Sequence, residues 1–439
     1  MASETLINRP IYIEKLNSLR GQAELVKIIT GARRCGKSRL FTLFQDDLRI
    51  HSGVSDSQIL NINLEDPLQA REIGLELNNR KMLTGYTRLL DFALARLNPK
   101  QMSYVFIDEV QLLEDWQQAA NALRLRENAD VYLTGSNAHM FSGDLANSFG
   151  GRYIEIKMQP FSFREYIAAY EHFAPNSLNG HSLQKIYEKY VKESGFPQTA
   201  SFLGNRQLIN DYLLDTVYLN TIQKDIIQRF NIPDKIKLDA VVRFMFDNIG
   251  CETSIRGIER GLSAAGNGAA VATLTNYIQG LLDSYLMYKC DRYDIKGRQL
   301  LNASSKYYVA DIGLRTALLG HEDADMGRAL ENIVYLELLR RGYRVYVGNV
   351  KTRQVRTNGK IERKTIEVDF VAQKPGEETE YYQVALYALA SEETLRRELA
   401  SLGEIDDNYP KFLLTMDPGS GTNKGIKRLN VLDWLAGSA

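Results

Sequence analysis

Neither sign of charge dominates this sequence. Its 439 residues carry 54 Lys+Arg against 54 Asp+Glu, which excludes a global attraction to nucleic acid or to an acidic membrane and leaves such binding to local patches. Cysteine is scarce. Cys35, Cys251 and Cys290 are isolated and odd in number, so they form neither a disulfide framework nor a CxxC zinc pattern, and a reducing cytoplasm fits them best. No apolar run approaches the roughly 20 residues of a membrane helix. The opening MASETLINRP lacks the basic-then-apolar pattern of a secretory signal. Long repeats and low-complexity tracts are missing too. What remains is an ordinary hydrophobic content of 44%, spread over a length that suggests about two to four domains.

The first third carries the chemistry. Residues 26–30, VKIIT, read as a short strand, and RLFTLFQDDL after residue 38 reads as an amphipathic helix. Between them lies Gly31-Ala32-Arg33-Arg34-Cys35-Gly36-Lys37-Ser38. Strand, glycine loop and helix in that order are the context of a P-loop. Glycine allows the tight bends, and the backbone N–H groups then cradle phosphate oxygens at a helix N-terminus. Lys37 is expected to reach the β- and γ-phosphates of ATP and Ser38 to ligate Mg2+, with Arg39 at the start of the helix also beside the nucleotide. Cys35 sits where a helix N-terminus favours a thiolate, although a tolerated variable position is the simpler reading.

Residues 104–109, YVFIDE, form a second apolar strand that ends in two acids. Asp108 is expected to hold Mg2+, and Glu109 to polarise the attacking water. ILNINL (59–64) adds a strand between the two motifs, VYLTGS (131–136) follows them, and YIEIKM (153–158) makes a fifth. Ser136 and Asn137 are placed to sense the γ-phosphate. Strands alternating with helices predict an α/β fold with a parallel sheet covered on both faces. The inserted strand is the arrangement of the RecA/AAA+ class.

The chain resembles the bacterial and archaeal AAA+ ATPases (AAA_14 type) that carry a C-terminal DUF4143 domain. The pieces that carry the resemblance are ITGARRCGKS, VFIDEVQLLEDW, LTGSNA, GGRY, PFSFREY, SGFP, KYYVADIGLR, LENIVYLELLRRG, EVDFVA and YYQV. The resemblance implies a P-loop AAA+-like core over residues 1–160, a helical lid over 161–235, a winged helix over 236–304 and a restriction-nuclease-like α/β domain over 305–439. It also implies that Arg152, in GGRY, is an arginine finger or sensor. An arginine that pairs with a local carboxylate is the plainer alternative.

Helical apolar spacing runs through residues 162–230, broken at Gly195-Phe196-Pro197. In the expected winged helix, the recognition position (270–288) offers Thr273, Thr275, Asn276 and Gln279 but neither Lys nor Arg, which disfavours base reading. The expected wing carries Lys289, Arg292, Lys296 and Arg298. A hairpin turning at Asn358-Gly359 adds six Lys/Arg to one Glu over residues 351–364. Lys296, Arg298, Lys351, Arg353, Arg356 and Lys360 are therefore the candidate DNA phosphate contacts, with a solvated hairpin or a protein-packing wing as the alternatives.

A restriction-like nuclease places one acid on a helix, one on a strand, and an acid-x-Lys on the next strand, so that the acids bind Mg2+ and the lysine helps activate water. Glu331 and Asp369 fit the first two places, with Glu367 on the same strand face. The third reads Gln383-Val384-Ala385, without acid or lysine, which argues against cleavage. The leading expectation is a Mg2+-dependent AAA+ ATPase, a homo-oligomer without membrane association, that couples hydrolysis to DNA binding or remodelling. A nucleotide-dependent switch on a protein partner and an ATP-gated nuclease are the other readings.

Overall fold

The computed structural model describes residues 6–79, 82–136, 149–230, 232–320, 325–355 and 361–438. The chain divides into two compact units, Met1–Pro160 with Asp283–Tyr285, and Phe161–Leu282 with Leu286–Ala439. Among the described residues, no helix is long and apolar enough to cross a membrane.

The first unit is built on five parallel strands: β1 (Val26–Gly31), β2 (Ile59–Asn63), β3 (Ser103–Asp108), β4 (Ala129–Gly135) and β5 (Tyr153–Met158). Their order across the sheet is β2-β3-β4-β1-β5. β4 thus separates the strand of the glycine loop from the strand of the two acids, as in the additional-strand P-loop ATPases. β1, β3 and β4 are buried at every position, which is why they read as continuous apolar runs.

Helix α1 (Pro10–Ser18) precedes the sheet and α2 (Lys37–Ser52) follows the glycine loop. α2 buries Leu40, Phe41, Phe44 and Leu48 along one stripe. Phe41 meets Phe106 edge-on at 5.0 Å, and Phe106 stacks on Tyr132 at 5.0 Å. Each such aromatic pair contributes about 0.5–1.5 kcal/mol beyond area burial, so the helix behind the loop is held firmly on the sheet.

At the other end of these strands Lys27 of β1 makes a fully buried ion pair with Asp130 of β4. Asp130 also accepts from the Tyr132 hydroxyl at 2.8 Å and the Gly21 N–H at 2.9 Å, so the charges are not left unsatisfied.

The second unit begins with helices, among them α3 (Phe163–Phe173) and α4 (Leu183–Glu193). Helical residues then run from Arg206 to Phe230, with wider π-type turns over Tyr212–Tyr218 and Ile222–Ile227. Helices α5 (Lys235–Asp247), α6 (Ile255–Ala264) and α7 (Val271–Asp283) come next, and then the hairpin β6 (Met287–Asp294) and β7 (Gln299–Val309).

This hairpin is not a free wing. β6 pairs in parallel with β8 (Arg344–Val355) through Val347, Gly348 and Asn349. The hairpin thereby joins an eight-stranded mixed sheet with β9 (Ile361–Gln373), β10 (Glu380–Ala385), β11 (Lys411–Thr415), β12 (Gly421–Asn423) and β13 (Ile426–Asn430). The order is β12-β13-β11-β10-β9-β8-β6-β7. The boundary expected at 304/305 falls inside β7, because backbone pairing draws the hairpin into the C-terminal sheet. Helices α8 (Ile312–Leu319), α9 (Met326–Arg340), α10 (Glu392–Gly403) and α11 (Val431–Ala436) complete the unit.

Candidate functional site

The loop between β1 and α2 takes three residues into positive φ: Gly31 at 149°, Arg34 at 66° and Gly36 at 103°. At Gly31 there is no room for a side chain, since a Cβ would lie 2.1 Å from the Met158 carbonyl oxygen. The Lys37 ammonium donates to the Gly31 and Ala32 carbonyls at 3.1 and 3.2 Å and lies 3.9 Å from the Glu109 carboxylate. The glycine loop and the acid strand, 72 positions apart in sequence by the difference of 37 and 109, thus meet through these two side chains.

Asp108 ends β3 and is hydrogen-bonded to Ser38 and to Thr134 of β4. Burial pushes its carboxyl above the usual range, and those two hydroxyl donors oppose the shift. Glu109 takes a left-handed conformation, φ 55°. Its N–H donates to the Thr134 hydroxyl at 2.9 Å, and its carboxylate accepts from the Gln111 amide, which also reaches the Ser136 hydroxyl at 3.2 Å. A hydroxyl and a carboxylate side by side at the start of the helix suit an oxygen-coordinated Mg2+, which needs few protein ligands when phosphate and water supply the rest.

The wall of the loop is tied from outside by Arg9, which is 2% exposed. Its guanidinium donates to the Cys35 carbonyl at 3.2 Å and the Gln159 carbonyl at 2.8 Å. Cys35 itself is fully buried, and desolvation pushes its thiol up despite nearby Lys37 and Arg9, so the helix N-terminus does not make it a thiolate. Arg33 is half-buried, while Arg34 and Arg39 are exposed on the loop and the first turn of α2.

Sequence reasoning named Asp108, Glu109, Lys37 and Ser38, and the structure brings all four together. It missed Arg9, Gln111 and Thr134. The last two stood in the quoted DEVQ and LTGS pieces without a role, and only the strand order shows what they touch. Asn137 lies outside the described residues.

Arg152 is not at this site. It is exposed at the N-terminal edge of β5, where its carbonyl accepts from the N–H of Val26 at 3.1 Å. The glycine loop leaves the opposite end of the paired strand β1, roughly 20 Å away at about 3.3 Å per residue. A sensor acting on its own nucleotide is therefore excluded by strand geometry.

Two of the six cations expected to hold DNA, and two further cations of the expected wing, are paired with carboxylates. Lys351 pairs with Asp294 at 2.6 Å, Lys296 with Asp406 at 3.4 Å and Lys289 with Asp291 at 2.7 Å. Arg292 is buried against Glu252 at 2.5 Å and Glu367 at 3.3 Å. Arg298 sits in the β6–β7 turn with φ 49°. Arg353 lies on β8, while Arg356 and Lys360 lie outside the described residues.

In the C-terminal sheet Glu331, Glu367 and Asp369 do gather, but around a lysine from an unexpected strand. Lys306 of β7 lies 2.9 Å from Glu331 and 2.7 Å from Glu367. Burial opposes its charge, yet Glu331, Asp369 and Glu367 together hold its pKa above the ordinary lysine value. Burial, and then Glu331, push the Asp369 carboxyl well up. Among the described residues, no group of three or more His, Cys, Asp or Glu side chains is arranged to hold a metal ion.

Residues 23–167 match a family described as an AAA domain, and residues 184–325 match a domain of unknown function, DUF8612. The second match is to a different family from the expected DUF4143, and it ends at residue 325. An uncharacterized protein of Haemophilus influenzae is 33% identical over 434 residues, covering 99% of both chains. An uncharacterized protein of Methanocaldococcus jannaschii is 26% identical over 392 residues, 86% of this chain and 77% of that one. Among solved structures the chain is similar to a Walker-type ATPase of Pyrococcus abyssi, with TM-score 0.46 and 16% identity over 72% of this chain and 97% of that one. It is also similar to a RuvB variant of Thermotoga maritima, with TM-score 0.33 and 13% identity over 64% and 90%.

Proposed function

This chain belongs to one family with the Haemophilus influenzae protein and carries an AAA domain, and from that premise we propose that it binds ATP with Mg2+ and hydrolyses it. One observation carries the reading: the P-loop side chains Lys37 and Ser38 face the strand-end acids Glu109 and Asp108 across a single site. The loop N–H groups and Lys37 hold the phosphates. Ser38 and Asp108 would hold Mg2+, which neutralises charge on the transferring phosphoryl group. Glu109 draws a proton from the attacking water, and Thr134 fixes the backbone on which Glu109 stands.

Arg152 acts in trans, as a finger presented to the P-loop of a second copy. Its place at the end of the sheet away from its own loop supports this, and a homo-oligomer follows from it. Mixing Arg152→Ala protein with Lys37→Ala protein tests it: rescue of phosphate release in the mixture is expected, and two inactive partners that stay inactive when mixed overturn it.

The ATPase itself is tested by Mg2+-dependent phosphate release. It is lost in Lys37→Ala, while Glu109→Gln retains ATP without turnover. Equal release by wild type and Lys37→Ala would sink the reading.

For the output of hydrolysis, the pairing of Lys296, Lys351 and Lys289 with carboxylates favours a nucleotide-dependent switch on a protein partner over DNA tracking. The same assay with duplex, branched and single-stranded DNA separates the two: no stimulation and no salt-sensitive binding support the switch, and stimulation restores the DNA reading.

A further inference from the structure

The C-terminal carboxylates offer what a nuclease-like fold would use for metal, and they are already neutralised from within. The Lys306 ammonium bridges Glu331 at 2.9 Å and Glu367 at 2.7 Å. The oxygen of Glu331 that it meets also accepts from the Tyr308 hydroxyl at 2.7 Å. Glu367 is shared with Arg292 at 3.3 Å, and Asp369 accepts the Val384 N–H at 2.8 Å. Gln383 stands where the third ligand would be, and its side-chain oxygen accepts from the Ser401 hydroxyl at 3.0 Å. The position two residues on is Ala385.

We infer that Lys306 is the resident cation of this cluster, and that the C-terminal domain consequently takes no divalent metal and cleaves no phosphodiester. The physical ground is competition for one volume. A divalent ion bridging Glu331 and Glu367 needs oxygen ligands at about 2.0–2.6 Å, and an ammonium whose nitrogen already lies under 3 Å from both fills that space. It also repels a second cation. Lys306 cannot simply withdraw, because it stands on β7, paired through Lys306–Cys290 with β6, and is only 6% exposed. Leaving would strand Glu331 and Asp369 in a buried cluster where Arg292, on Glu367, is the remaining counter-charge. The lysine that the third strand lacks is thus present from another strand, but it sits on the metal's ligands instead of beside a metal.

The consequence is specific. Removing the ammonium while keeping the acids turns the cluster into a cation site. Nucleotide-free full-length protein is titrated with Mn2+ and read by electron paramagnetic resonance, and plasmid, single-stranded DNA and RNA are incubated with Mg2+ or Mn2+. Wild type is expected to show no Mn2+ that the Glu331→Gln substitution removes, and no cleavage. Lys306→Ala and Lys306→Gln are each expected to gain about one Mn2+ per chain, and adding Glu331→Gln abolishes the gain.

Wild-type Mn2+ bound through Glu331 overturns the inference, as does cleavage lost in Asp369→Asn. Folded Lys306 variants that gain no Mn2+ also overturn it. Should neither variant fold, the comparison of wild type with Glu331→Gln, together with the cleavage assay, decides. None of these outcomes depends on ATP hydrolysis.

Discussion

Gln111 donates its side-chain amide to the carboxylate of Glu109 two residues before it, and to the hydroxyl of Ser136 beyond β4 at 3.2 Å. The amide must face this way, because its oxygen turned toward Glu109 would meet a carboxylate with no donor between them. On the proposed mechanism, Gln111 positions the carboxylate that polarises water. Gln111→Ala is expected to lower kcat by about tenfold, part of the roughly 10²–10⁴ that a positioned base contributes, with ATP affinity unchanged. Gln111→Glu should be worse, since like charges then face each other. Steady-state phosphate release and equilibrium nucleotide binding check both, and a change in affinity instead of kcat would show that Gln111 only supports the loop.

Much of this site was legible because it is local. The glycine loop and the Asp-Glu pair are contiguous motifs whose neighbours declare strand and helix. Arg9 was not legible, since it reaches Gln159 across 150 positions. Lys306 was hidden for the same reason: its partners Glu331 and Glu367 lie on a later helix and a later strand. The position of Arg152 relative to the glycine loop depends on which end of β5 it occupies, and only pairing with β1 reveals that. The hairpin at 287–309 reads as a wing when taken alone, and its place in an eight-stranded sheet depends on pairing with residues 347–349.

Arg9 makes a second prediction. Its fork holds the Cys35 and Gln159 carbonyls together, and its guanidinium lies 4.8 Å from the Tyr12 ring. Hydrogen bonds from a charged group contribute about 1.5–3 kcal/mol each. Arg9→Met is expected to lose about 2–4 kcal/mol of stability by urea unfolding and to weaken ATP binding as the loop wall loosens. Arg9→Lys should not rescue it, because an ammonium cannot span two acceptors as a planar fork does.

The buried pair of Lys27 and Asp130 makes a third. Lys27→Met leaves Asp130 in the core without its ammonium partner, while the Tyr132 hydroxyl and the Gly21 N–H still donate to it. Breaking a buried pair from one side costs about 3–5 kcal/mol. Lys27→Met/Asp130→Asn is expected to recover part of that loss, because no uncompensated charge remains. Chemical denaturation of the single and double variants gives the comparison, and a double variant no more stable than Lys27→Met would assign the loss to packing.

The last concerns two segments that look unrelated in sequence, Ser194-Gly195-Phe196-Pro197 and the start of α8. One Asp311 oxygen accepts from the N–H of Gly195 at 2.7 Å and the other from the N–H of Leu314 at 2.7 Å. The backbones come so close that a Cβ on Gly313 would lie 2.5 Å from Ser194, and one on Gly195 2.5 Å from the Phe161 carbonyl oxygen. Asp311 is fully buried, and burial pushes its carboxyl up while these N–H donors oppose the shift. Removing the charge would then look harmless, but geometry decides otherwise. Asp311→Asn keeps one acceptor oxygen and turns an NH2 toward the other N–H, at a cost of about 1–3 kcal/mol for the orphaned donor. Asp311→Ala orphans both donors and uncaps α8, so it should cost more, about 2–5 kcal/mol. Urea unfolding of the two variants checks the order: Asp311→Asn as stable as wild type would mean that neither the charge nor the pair of N–H contacts governs this junction.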